Sequence, residues 1–324
     1  MVFKKWWRLM AIRIKFLGTA SGTPISGLFP ASALLEDNGK KLLIDCGEGI
    51  QYQLFRSGVG LRGLEAVLIT HMHGDHVLGL PGFLMTLSLL RWDGKLVIYG
   101  PKELEGFVTF TLKITRSGLD VLERTEFKEL DSAGTFSVGD MMVTPFPVRH
   151  RIRAFGAVIE ERSKPGRFNV DRARKLGIPR GPLWGELQRG RSVAINGVEF
   201  KPEQVLGPPR RGAKVVYTGD SAPSDSIIER AQGADCLIHD AAFPKGDEEE
   251  AHAFGHSTWG DAVQAARTAG VRSLILFNFG GKAVSNISKI GSEARKEFQE
   301  TYVANDLWEC VVKAEETPSL RSDG

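Results

Sequence analysis

Residues 67–80 read VLITHMHGDHVLGL. An apolar, β-rich run ends at Thr70 and helical spacing begins after Gly74, so the segment is expected to be a strand passing through a turn into a helix. Three histidines and one aspartate, His71, His73, Asp75 and His76, fall within six positions at that junction. A turn after a strand can aim His71 and His73 the same way, with Asp75 and His76 facing a second locus beside it. Imidazole and carboxylate donors together suit Zn²⁺ or Mn²⁺, and the lack of cysteine argues against a closed structural zinc site. Two metals about 3.5–4 Å apart need a shared carboxylate and further imidazole. Candidates stand at later strand ends: His150 follows TPFPV, and Asp220 closes KVVYTGD. A lone histidine at a strand end is usually a surface or satisfied residue. The upstream cluster makes these two ligand candidates.

Around the cluster, short strands alternate with helical segments. Residues 12–18, 32–36, 41–45, 66–70 and 95–100 read as strands, with helical periodicity at 49–58 and 78–90. The second half repeats the scheme, with strands at 141–148, 155–161, 214–220, 235–240 and 273–278. Residues 257–270 open on Ser-Thr and end at Gly, as a capped helix does, and 292–306 read as a terminal helix. Alternation of this kind, twice over, predicts an α/β fold of two sheets with helices outside them.

The 324 residues carry a net charge of +3, unevenly spread. Residues 162–191 hold nine Lys/Arg against two acids, so this stretch is +7 and the rest of the chain sums to −4. Such asymmetry points to a polyanionic partner for one part of the molecule. The Gly/Pro/Arg-rich stretch 162–212 breaks the strand–helix rhythm. Its short apolar runs predict a protruding insertion that buries little surface of its own, packed through Leu176, Ile178, Leu183, Trp184 and Leu187. No apolar run approaches the roughly 18–20 residues of a membrane helix. Cys46, Cys236 and Cys310 have no close spacing, which excludes a disulfide framework and fits a reducing cytoplasm. Residues 1–9 read as an N-terminal extension, and 10–324 as one domain with an inserted arm at about 162–191.

THMHGDH, PVRH, YTGD and GHST together resemble the metallo-β-lactamase superfamily. LGIPRGPLWGEL (176–187), VLGPPR (205–210) and GHST (255–258) are similar to the arm, its flank and the catalytic-histidine loop of RNase Z, the tRNA 3′-processing endonuclease. The resemblance implies a four-layer αβ/βα sandwich with a protruding basic arm, two zinc ions per chain, and precursor tRNA as substrate. It places His71, His73 and His150 on one metal, Asp75 and His76 on the other, and Asp220 between them. A hydroxide made available by the metals would attack the phosphorus, with Asp75 taking up its proton. His256 matches the family's proton donor to the departing 3′-oxygen, and Asp240 stands where a glutamate usually orients that histidine. Asp45 reads equally as support for the ligands or as a buried, hydrogen-bonded aspartate. Arg167, Arg172, Arg174, Lys175 and Arg180 of the arm would hold tRNA phosphates. The family also implies a homodimer in which each arm serves the partner's active site.

Two features depart from the family. Asn278 stands where the last metal-ligating histidine is expected, and no histidine follows 256. An amide oxygen is a weaker, harder donor than imidazole, so the second metal is expected to be held more weakly, or Mn²⁺ to be accepted there more readily. Residues 22–34 contain no Lys or Arg, whereas many members carry a basic loop there. Two rival readings are a phosphodiesterase of small substrates, which would have no use for the arm, and an RNA-binding homologue with weakened catalysis.

Overall fold

The computed structural model describes residues 11–22, 25, 27–130 and 134–314. The expected extension at 1–9 lies outside the described residues. The strands of the first half are β1 (Ala11–Gly18), β2 (Ser32–Asp37), β3 (Lys40–Ile44), β4 (Leu64–Leu68), β5 (Leu96–Gly100) and β6 (Thr125–Glu129). Next come β7 (Phe136–Val138), β8 (Met141–Val148), β9 (Ala154–Glu161), β10 (Val193–Ile195) and β11 (Val198–Phe200). The last are β12 (Lys214–Tyr217), β13 (Cys236–Asp240), β14 (Leu274–Phe277), β15 (Thr301–Val303) and β16 (Glu309–Lys313).

Two seven-stranded sheets form, in the orders β16-β1-β2-β3-β4-β5-β6 and β15-β14-β13-β12-β9-β8-β7. Each is half antiparallel and half parallel: parallel from β3 to β6 in one, and from β12 to β15 in the other. The layering follows from strand periodicity, because successive side chains face opposite sides. In β3, Leu42 and Ile44 enter the core between the sheets, while Leu43 packs outward with Leu80, Phe83 and Leu84 of the helix Gly79–Leu89. In β14, Ile275 and Phe277 face the inter-sheet core, and Leu274 and Leu276 pack under Trp259, Val263 and Ala266 of the helix Trp259–Ala269. Strands apolar on both faces can be buried only between two layers. The result is helix, sheet, sheet, helix.

The terminal helix expected over 292–306 does not form as one element. The helix Ile287–Glu297 stops there, and Thr301–Val303 joins the sheet as β15, parallel to β14. Thr301 and Val303 are β-branched and prefer the pleated edge that β14 offers. A further helix, Leu104–Thr115, covers the first sheet through Leu104, Val108 and Leu112.

The insertion between β9 and β12 carries the helices Val170–Lys175 and Pro182–Gln188 and the β10–β11 hairpin. Contrary to expectation, it has a core of its own: Ala173, Ile178, Leu187, Val193 and Val205, flanked by Phe168 and Trp184. Val193 and Val205, beyond the basic window, contribute to this core, whereas Leu176 is exposed. The Trp184 indole donates to the Ile178 carbonyl at 3.0 Å. The two stems cross so closely that a Cβ at Gly166 would stand 1.9 Å from the Gly207 carbonyl oxygen, so only glycine fits there.

Candidate metal centre

The carboxyl-terminal ends of parallel strands are where open α/β sheets place their sites. Here the turn after β4 brings His71, His73, Asp75 and His76, and the ends of β12, β13 and β14 bring Asp220, Asp240 and Asn278. His150 follows β8, and His256 sits on the loop before the helix Trp259–Ala269.

Two donor groups result. His71, His73, His150 and Asp220 form one, and Asp75, His76 and Asp220 the other, each with ligand atoms within 4.8 Å of one another. Hydrogen bonding fixes the imidazole tautomers. Thr70 Oγ1 lies 2.9 Å from Asp45 Oδ2, to which it donates, and so accepts from His71 Nδ1 at 3.0 Å. His150 Nδ1 donates to the Gly255 carbonyl at 2.8 Å. Each ring therefore presents a bare Nε2, and both aim at His73 Nδ1, at 3.0 Å from His71 and 3.1 Å from His150. His76 Nδ1 donates to Asp45 Oδ2 at 2.9 Å, leaving a buried Nε2 without a hydrogen-bond partner. That atom faces Asp75 Oδ2 at 3.4 Å and Asp220 Oδ1 at 3.3 Å. A tetrahedral ion with bonds of ~2.1 Å sets its donors roughly 3.4 Å apart. Converging lone pairs at these spacings fit metal ions at both loci.

The carboxylates around His76 make the second locus one that holds positive charge, a proton on the imidazole or a cation in its place. Burial opposes a proton on His76, yet Asp220 and Asp45 raise its basicity well above the ordinary imidazole value. Burial also disfavours charge on Asp220, but His76, His71 and His256 hold it well below the usual carboxylate range. Burial works against ionised Asp75 too, and is outweighed by His76 and the Gly22 N–H, which hold it at about 2. His71 is pushed well below its ordinary value, first by burial and then by His76, and so is neutral as a ligand must be.

Beside these loci, His256 Nδ1 bonds Asp240 Oδ2 at 2.8 Å, and its Nε2 faces Asp220 Oδ2 at 3.9 Å. Burial opposes its charge, but Asp240 and Asp220 raise it to about 9, so it carries a proton at neutral pH. The same Asp240 oxygen accepts from the Ser221 N–H at 3.1 Å, while Oδ1 accepts from Ala242 N–H at 3.0 Å. The shorter aspartate thus reaches the imidazole. The helix behind is capped by Thr258 with Asp261, which leaves His256 free of a capping role.

Asn278 is buried in the left-handed region (φ 65°). Its amide nitrogen donates to Asp220 Oδ1 at 2.8 Å and Asp240 Oδ1 at 3.3 Å, and its Oδ1 has no partner. Sequence reading gave no sign of the Gly255 carbonyl and the Gly22 N–H, since backbone groups carry no residue signature. Gly255 (φ 77°) is required there, because a Cβ would stand 2.9 Å from His150 Nδ1. The arm residues Arg167, Arg172, Arg174, Lys175 and Arg180 are all exposed, and none belongs to either donor group. Three of them lie on the helix Val170–Lys175.

Family models match two stretches: anti-Pycsar protein Apyc1 over residues 12–163 and beta-lactamase superfamily domain over residues 199–279. The chain is 36% identical over 302 residues to Ribonuclease Z of Methanosarcina mazei, covering 93% of this chain and 98% of that protein. It is 37% identical over 304 residues to Ribonuclease Z of Limosilactobacillus fermentum, covering 91% and 97%. In fold it is similar to the short form of human tRNase Z, with a TM-score of 0.66 at 24% identity over 93% of this chain and all of that one. With relatives this similar over nearly its full length, the chain belongs to the Ribonuclease Z family.

Proposed function

We propose that this protein is a metal-dependent endoribonuclease that removes the 3′ trailer of precursor tRNA. The observation that carries this reading is Asp220, shared by two donor groups and flanked by a proton-bearing His256. In this reading His71, His73 and His150 would hold one zinc and Asp75 and His76 the other, with Asp220 offering an oxygen to each group. When bound, the metals supply Lewis acidity at the phosphate and a water that ionises near neutral pH. Asp75 takes the proton of the attacking water. The P–O3′ bond breaks, and His256, oriented by Asp240, protonates the departing 3′-oxygen. Incubation with a 3′-extended precursor tRNA and Zn²⁺ or Mn²⁺ tests the proposal. Mapped ends should show a 3′-hydroxyl on the tRNA and a 5′-phosphate on the trailer; no cleavage, or a 5′-hydroxyl trailer, defeats it.

Asn278 sets the second metal apart. Its nitrogen is engaged by Asp220, and its unpartnered oxygen is the remaining neutral donor beside that locus. We expect this metal to be lost first on dialysis against a weak chelator, or to exchange for Mn²⁺, and Asn278→His to slow the loss. Metal analysis over time measures it. Two tightly held zincs in the native protein and no change in the variant would refute the weak-site assignment.

The arm separates this reading from a small-substrate phosphodiesterase. Its exposed cations would release counterions from tRNA phosphates without reading sequence. Deleting 163–188 should raise KM for precursor tRNA at least about ten-fold while hydrolysis of bis(p-nitrophenyl) phosphate persists. Equal loss on both substrates would remove the arm's separate role.

A homodimer is part of the proposal. Phe55 and Leu90 are exposed on a groove of about 420 Å³ between the helices Ile50–Ser57 and Gly79–Leu89, and Tyr52 and Leu89 of the same two helices are exposed as well. Phe55→Asp with Leu89→Asp should halve the mass found by sedimentation. A native mass of one chain would rule the dimer out. Among the described residues no helix is long and apolar enough to cross a membrane, and three free thiols fit a cytoplasmic protein.

A further inference from the structure

Aromatic rings step outward from His256. The Phe243 centroid is 6.1 Å from the His256 ring, and Phe254 follows 6.3 Å further on, nearly parallel to Phe243 at 13°. Phe254 is 46% exposed, although it closes a helix, Glu248–Ala253, that has ample polar residues for a surface end. The guanidinium of Arg151 stands 5.7 Å from the Phe254 centroid. Arg149 and Arg151 are both exposed on either side of His150, and neither has a carboxylate partner among the described residues. Arg153 differs, being tied to Glu129 at 3.0 Å.

An exposed ring continuing a stack, with unpaired cations beside it, is the pattern by which proteins hold single-stranded nucleic acid: the ring takes a base and the cations take the backbone. A basic protein surface is disfavoured as the partner, since the two arginines, without a carboxylate partner among the described residues, would repel it. We propose that Phe254 and Arg151 form a ledge for the nucleotide whose 3′-oxygen leaves, with Phe254 stacking its base and Arg151 contacting the phosphate backbone. The side is set by His256: a group that protonates O3′ lies against the nucleotide that keeps that oxygen, and the ring series extends outward from His256. This inference rests on the endonuclease reading above. It adds a contact that needs no base identity, since every base has a stacking face.

The test uses the full-length, metal-loaded protein and two 3′-extended precursor tRNAs, one intact and one abasic at the nucleotide 5′ of the scissile bond. On the intact substrate, Phe254→Ala should raise KM on the order of ten-fold, Phe254→Trp should restore it, and Arg151→Ala should raise it less. On the abasic substrate the native protein should show the same loss, and Phe254→Ala should add nothing to it, as residues acting through one contact do. Melting temperature and metal content exclude misfolding of the variants. An unchanged KM in Phe254→Ala, or a loss that persists on the abasic RNA, overturns the ledge. Failure of the native protein to cleave the intact RNA would instead sink the underlying function, so the two failures are distinguishable.

Discussion

Asp220→Asn leaves the fold intact and costs the protein one or both metals, with kcat/KM on precursor tRNA falling about a thousand-fold or more. The side chain is almost fully buried and shared between the two donor groups, so no other carboxylate can replace it. An asparagine keeps the size but offers only one oxygen donor, and its NH2 would stand where one of the two oxygens now faces His71 or His76. Metal ions supply several kcal/mol of transition-state stabilisation in hydrolysis of this kind, and each 1.36 kcal/mol is ten-fold in rate. Metal content and steady-state cleavage read both effects. A variant that keeps two metals per chain and near-native cleavage would show that Asp220 does not join the loci.

His256→Ala is the second large effect, and it is selective. Positioned proton transfer contributes about a hundred- to ten-thousand-fold, so kcat on precursor tRNA should fall within that range, with KM and metal content little changed. Bis(p-nitrophenyl) phosphate should suffer far less, because p-nitrophenolate leaves without a proton whereas a ribose 3′-oxygen does not. Asp240→Asn should give a milder form of the same selectivity, since it removes the anion that keeps His256 charged at about 9. Equal losses on the two substrates would mean that His256 serves the metals or the fold and not the leaving group.

The parts of this molecule that were legible in its sequence are those whose cause is local. HMHGDH places four donors within one turn, so their convergence needs only a strand end and a helix start. The strands around them are dense in β-branched and aliphatic residues, and their double-sided burial follows from that composition. What could not be read depends on partners far along the chain. Strand β16 pairs with β1 from the opposite end of the sequence. Leu104–Thr115, LEGFVTFTLKIT, is rich in β-branched and aromatic residues, and the burial of Leu104, Val108 and Leu112 on one face overrides that weak preference. The arm's core draws on Val193 and Val205, outside the window marked out by charge. In the site, Asn278 was visible as a departure, but its two hydrogen bonds to Asp220 and Asp240 were not, because they join three separate strand ends.

The central claim is that two cations meet at the ends of these strands with Asp220 between them. Anomalous diffraction from crystals grown with Zn²⁺, measured on both sides of the zinc edge, tests it most directly. The account predicts two peaks: a strong one among His71, His73 and His150, and a weaker one between Asp75 and His76. No peak at either place, or a single ion bound without contact to Asp220, would contradict it.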